Sequence, residues 1–180
     1  MKKYLFLVTL FILSSCGWTS SSSWLIEYSN DDFSLQIPAT WNILDSKSTL
    51  IPEPKEWKVA LAVTSPEVVD GFSNNLIILK KELSYSTNSK QFSKLNNTSI
   101  SSDYFSYKEV ENKDISFSDW EDTSEFIFEA QYSPSTPKLR FLQLGRVCGT
   151  NISFFLTIGL SPNITDTARY EEILKSFECK

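Results

Sequence analysis

The residues best equipped for chemistry in this 180-residue chain are three cysteines and a crowd of carboxylates. Cys16 stands alone near the start, whereas Cys148 and Cys179 lie in the last quarter of the chain. Asp119, Glu121, Asp122 and Glu125 surround Trp120, and Glu109, Glu111 and Asp114 come shortly before. Clustered carboxylates are the donors calcium uses, and a carboxylate pair is what acid/base cleavage of a glycosidic bond needs. This run lacks the spacing and turn glycine of a calcium loop, so the expectation is a solvated acidic edge. Of the tryptophans, Trp57 and Trp120, next to loops, are the candidates to stack on a ligand, but scattered aromatics are more often packing and no sugar site is assigned. No histidine occurs, which excludes Ser-His-Asp and Cys-His catalysis and His-ligated zinc. With only five glycines there is no phosphate-binding glycine loop. No pattern calls for a metal or an organic cofactor, and no catalytic residue is assigned. Seventeen Lys plus Arg against twenty-two Asp plus Glu give a charge of −5, which argues against a nucleic-acid partner.

The N-terminus carries an address. Lys2 and Lys3 precede an apolar run, Tyr4 to Leu13, far short of the roughly twenty residues a membrane-spanning helix needs. A positive start and a short apolar stretch followed by small residues form the plan of a secretory signal peptide. Leu13-Ser14-Ser15-Cys16 resembles the lipobox of bacterial lipoproteins. That resemblance implies cleavage before Cys16, a diacylglycerol on its thiol and an acylated amine. Residues 1–15 are then a leader and 16–23, with four serines in a row, a flexible tether. Losing Lys2 and Lys3 leaves fifteen cationic against twenty-two anionic side chains, a charge of −7. The implied location is a bacterial membrane, on its extracytoplasmic side, periplasmic or at the cell surface. The membrane, through the lipid anchor, is the first expected partner.

From Trp24 onward strand patterns dominate. Phe33, Leu35 and Ile37 alternate with polar residues, and so do Val59, Leu61 and Val63. Pro52, Pro54 and Pro66 mark connections, and Leu76 to Leu79 is a short apolar run. Ser86 to Leu95 suggests a short surface helix capped by Ser86 or Thr87. Ile100 to Val110, Ile115 to Trp120 and Thr123 to Tyr132 are expected strands, with Phe126, Phe128, Ala130 and Tyr132 on one face. Leu139 to Cys148 and Ile152 to Leu160 flank Gly149-Thr150-Asn151, a hairpin signal. The second of these strands turns Ile152, Phe154, Leu156, Ile158 and Leu160 one way and demands cover. Tyr170, Ile173, Leu174 and Phe177 form the stripe of an amphipathic helix, capped by Thr165 or Asp166. Arg169, Glu171, Glu172 and Lys175 are expected outside. The fold class is α+β: a largely antiparallel sheet flanked by helices, the C-terminal helix packed on the sheet.

Two segments resemble the PsbP-like family. Phe33-Ser34-Leu35-Gln36-Ile37-Pro38-Ala39-Thr40-Trp41 is similar to its opening strand, and Tyr170 to Phe177 to its closing helix, which tends to end in Ser-Phe. The resemblance implies an α/β/α sandwich over residues 24–180 with Trp41 in the core, and it implies no activity. Cys148 ends one hairpin strand, and a helix running back along the other would bring Cys179 towards it. In an oxidising compartment the pair is therefore expected to form a disulfide. The functional expectation is a non-enzymatic, lipid-anchored module binding a protein or small ligand at the cell envelope. The alternative is a carboxylate-based enzyme or a cation-binding protein. A pocket of strongly shifted carboxylates would favour the alternative.

Overall fold

The computed structural model of the protein describes residues 24–45 and 55–180. The leader, Cys16, the serine tether, Pro52 and Pro54 lie outside the described residues. In chain order the elements are β1 (Leu25–Ser29), β2 (Phe33–Pro38), β3 (Asn42–Ile43), β4 (Lys58–Thr64), β5 (Asn75–Glu82) and α1 (Ser89–Ile100). There follow β6 (Phe105–Ser116), β7 (Asp122–Gln131), β8 (Leu139–Cys148), β9 (Ile152–Leu160), α2 (Ala168–Lys175) and β10 (Glu178–Cys179). The class is α+β, with every strand pairing antiparallel. Seven strands form one sheet in the order β3-β4-β5-β9-β8-β7-β6, and β1-β2-β10 form a small second sheet.

The second sheet and α2 share the cover of one face of the large sheet. Phe33, Leu35 and Ile37 of β2 are buried together with Phe154, Leu156, Ile158 and Leu160 of β9. Ile173 and Leu174 of α2, and Phe177 just beyond its end, complete that core. Phe33 stacks on Phe177 at 4.9 Å and meets Phe154 edge-on at 5.3 Å. Trp41 is half-buried at the margin of the same core. The expected alternation therefore holds for β2; on β9 the α2 stripe seals the face of Phe154, Leu156, Ile158 and Leu160, while Phe155 is buried on the opposite face with Phe92.

Helix α1, on the surface as expected, covers the opposite face with one side buried and Gln91, Lys94 and Leu95 exposed on the other. Phe92, Ser89 and Ser93 are buried, and the cap is Asn88, whose side chain accepts from the Gln91 N–H at 2.8 Å. The register explains the buried serines. The ladder between β7 and β8 stops at Phe126 opposite Gln143, which strands backbone groups further along β8. Ser93 Oγ accepts from Gly145 N at 3.0 Å, and Ser89 Oγ accepts from Val147 N at 2.9 Å. Thr123 Oγ1 donates to the Gly145 carbonyl at 2.7 Å. Hydroxyls thus replace the missing strand partner, as buried backbone groups require. Gly145 itself makes room, since a Cβ there would collide with the Phe92 ring.

Other expectations shift at irregularities. A bulge at Ala60 puts Val59 with Ala62 on the α1 side, while Leu61 and Val63 face α2. Ile100 ends a helix, and Ile115 to Trp120 is the end of β6 plus a turn in which Trp120 has φ +68°. The cap of α2 is Thr167, though Asp166 still accepts the Ala168 N–H at 3.1 Å. Glu171, expected outside, is buried.

Candidate functional site

Antiparallel register gathers several chain ends at one pole of the molecule. Leu25 at the start of β1 lies opposite Pro38 at the end of β2. Thr64, at the end of β4, pairs with Asn75, and Asn75 pairs with Gly159 near the end of β9. The connection from β9 therefore enters α2 beside the β4–β5 loop. Between these ends opens a cleft of about 320 Å³, walled by Trp24, Trp41 and Tyr170 and edged by Glu67, Asn74 and Arg169.

Each wall is held from behind. Ala39 N donates to the Trp24 carbonyl at 2.9 Å, and Trp41 N to the Pro38 carbonyl at 3.0 Å. Tyr170 is buried in the first turn of α2, with Trp41 6.5 Å away. Asn74 Oδ1 accepts from Ser161 N at 2.8 Å, and Glu67 N donates to Ser65 Oγ at 3.1 Å. The Arg169 guanidinium lies 4.7 Å from the Tyr170 ring centre and 6.0 Å from that of Trp24. It also donates to the Tyr170 hydroxyl at 2.6 Å. Rigid aromatic faces beside a few polar groups are the kind of lining that ligand pockets have. A second cleft, of about 480 Å³, lies at the other pole beside Lys58, Lys80 and Lys81. Two of those lysines are already paired, Lys80 with Asp32 and Lys81 with Glu56.

Three of the carboxylates that crowd together in sequence take separate partners, whereas Glu111 and Glu125 both approach Lys113, at 3.6 Å each. Asp119 pairs with Arg146, Asp122 accepts from Ser116 Oγ at 2.7 Å, and Asp114 pairs with Lys90. Among the described residues no three metal-ligating side chains converge. Glu125 departs furthest from the solvated-edge expectation: it is wholly buried on β7, and neither carboxylate oxygen has a hydrogen-bond partner among the described residues. Lys113 Nζ lies 3.6 Å from Glu125 and 2.9 Å from Glu171 of α2. Burial, and next the neighbouring Glu171, push the Glu125 carboxyl up to about 7, against the pull of Lys113. Burial alone would lower Lys113, but the bond to Glu171 and the surrounding carboxylates raise it. Glu125 lines neither cleft.

Trp57 and Trp120 line neither cleft. Trp57 packs between Phe92 and Phe155, each 6.2 Å away, and Trp120 projects from a turn, 88% exposed. Trp24 and Trp41 are the ones that wall a cleft. No sequence pattern links them to Arg169 and Glu67, because four separate chain segments supply the lining. Cys148 and Cys179 form a disulfide with Cα atoms 5.7 Å apart. Arg146 donates to Cys179 Sγ at 3.3 Å and lies 4.7 Å from the Phe117 ring centre, so this region is structural support. Cys16 lies outside the described residues.

No protein-family model matches the chain, and no curated protein matches it. Among solved structures it is similar to a crystal structure from Bacteroides thetaiotaomicron VPI-5482, with a TM-score of 0.48 and 11% identity over 82% of this chain. The chain spans 45% of the length of that protein.

Proposed function

We propose that the protein is a bacterial lipoprotein, anchored through Cys16 on the extracytoplasmic side of a membrane, that binds a ligand in the cleft beside its anchor. The observation that carries this reading is the position of Trp24. It is a wall of the cleft and lies eight residues beyond Cys16. Eight residues reach at most about 29 Å even when fully extended. A lipid on Cys16 therefore keeps the cleft within that distance of the bilayer surface. Two or more acyl chains, each adding about 0.8 kcal/mol per buried methylene, give a stable anchor. Among the described residues no helix is long and apolar enough to cross a membrane.

Binding is favoured over carboxylate catalysis by where the shifted acid sits. A general acid must reach its substrate. Glu125 is sealed between the sheet and α2, whereas the aromatic cleft is open to solvent. The anchor is tested by growing cells with labelled palmitate and partitioning their proteins in detergent. The expected result is label and detergent-phase partition for the natural chain and neither for Cys16→Ser. Palmitate retained at the N-terminus of Cys16→Ser would overturn the lipoprotein reading.

A further inference from the structure

Arginine occurs three times in the sequence, and two of the three have carboxylate partners in the fold. Arg140 pairs with Glu129 at 2.8 Å, and Arg146 pairs with Asp119. Arg169 forms no ion pair among the described residues. Its guanidinium is exposed and held by aromatic contacts to Trp24 and Tyr170. Cation–π contacts of this kind fix the plane of a guanidinium and leave most of its N–H groups available. Glu67 edges the same cleft, is exposed, and likewise forms no ion pair among the described residues. The two opposite charges thus line one cavity without meeting each other.

We infer that the cleft takes a small zwitterion, with its oxyanion on Arg169, its ammonium beside Glu67, and its carbon skeleton against Trp24 and Trp41. A guanidinium presents paired donors that match a phosphate or carboxylate. An ammonium is attracted both by a carboxylate and by the face of an indole ring. A simple anion would meet repulsion from Glu67, and a simple cation would meet repulsion from Arg169. Carrying both charges satisfies both groups. A volume of about 320 Å³ accommodates about ten water molecules, which suits a headgroup-sized or amino-acid-sized group. This assignment rests on the cleft being the binding site, as proposed above. An ammonium linked to an oxyanion occurs in phospholipid headgroups and in free metabolites alike.

The test uses the whole protein in non-ionic detergent, titrated with phosphoethanolamine while tryptophan emission is followed. A saturable change is expected, with inorganic phosphate and ethanolamine each at least tenfold weaker. Arg169→Gln and Glu67→Gln should each weaken the binding at least tenfold, and Glu67→Gln, whose carboxylate forms no ion pair among the described residues, should do so without moving the melting temperature. No saturable change, equal affinity for phosphate alone, or unchanged affinity in both variants would overturn the inference. The source is found by repeating the titration in vesicles of phosphatidylethanolamine and of phosphatidylglycerol. A tenfold loss of probe affinity in phosphatidylethanolamine alone assigns the cleft to a membrane headgroup. Equal affinity in both vesicles assigns it to a free zwitterion. Either result supports the zwitterion class. Palmitate labelling does not depend on these substitutions, so a failed titration on a labelled protein refutes the ligand class and leaves the anchor standing.

Discussion

Replacing Glu125 by glutamine should stabilise the protein at neutral and alkaline pH. The carboxyl has a folded-state pKa of about 7 against an ordinary value of 4.5, with burial as the first cause. A group whose pKa is raised by folding binds its proton more tightly in the native state. Its contribution to stability is therefore fully present below about pH 4.5 and is lost as the pH rises through 7. At about 1.4 kcal/mol per pH unit, that window is worth about 3 kcal/mol. Glutamine does not ionise, so Glu125→Gln should lose this dependence while keeping a similar shape. With a urea slope of about 1–3 kcal/mol per molar, the wild-type midpoint should fall by about 1–3 M relative to the variant between pH 5 and 8. The assay is urea unfolding of both proteins at pH 5, 6, 7 and 8, followed by tryptophan fluorescence. The lowered carboxyls Glu129 and Asp114 are common to both chains and cancel in the comparison. Parallel pH profiles for the two proteins would show that Glu125 is solvated or fully neutralised by Lys113, and would refute the reasoning.

Three further outcomes are expected. The oxidised protein should titrate no free thiol at Cys148 or Cys179, and reduction should lower the melting temperature, since closing a loop across 31 positions is worth about 3–4 kcal/mol in the chain-entropy account. Leu174→Ala and Phe177→Ala should each cost about 2–5 kcal/mol in chemical denaturation. Lys175→Ala should cost less than about 0.5 kcal/mol, whereas Glu171→Ala, buried and bonded to Lys113, should cost about 1–3 kcal/mol. Gly145→Ala should destabilise by about 1–3 kcal/mol through its collision with Phe92, and a double mutant with Phe92→Ala should show strong coupling.

Local pattern determined much of this molecule. Strict alternation in Phe33–Ile37 defines which face of β2 is buried, because strand side chains have a period of two, and the same period groups Phe154, Leu156, Ile158 and Leu160 on one face of β9. The 170, 173, 174, 177 spacing defines the face of the closing helix for the same kind of reason. The turn at Gly149, with φ +63°, sets the hairpin that puts Cys148 where Cys179 can reach it. These features depend on neighbours along the chain, so a single sequence displays them.

Features that depend on register or on distant partners were decided by tertiary packing. One inserted residue at Ala60 sends Val59 to the opposite face, and alternation cannot reveal a bulge in advance. The polar stretch around Ser89 and Ser93 has the composition of a solvent-facing helix. Its hydroxyls are buried because the β7–β8 ladder ends early, a fact recorded only in the pairing of two strands. Glu171 has the same charge as Glu172 beside it, but Lys113 on another element draws the first inward. The cleft belongs wholly to this class. Trp24, Trp41, Glu67 and Arg169 are separated by up to 145 positions and meet only at one pole of the folded chain. A site assembled from several chain ends leaves no spacing in the sequence, since its geometry is set by how strands pair and not by how residues follow one another.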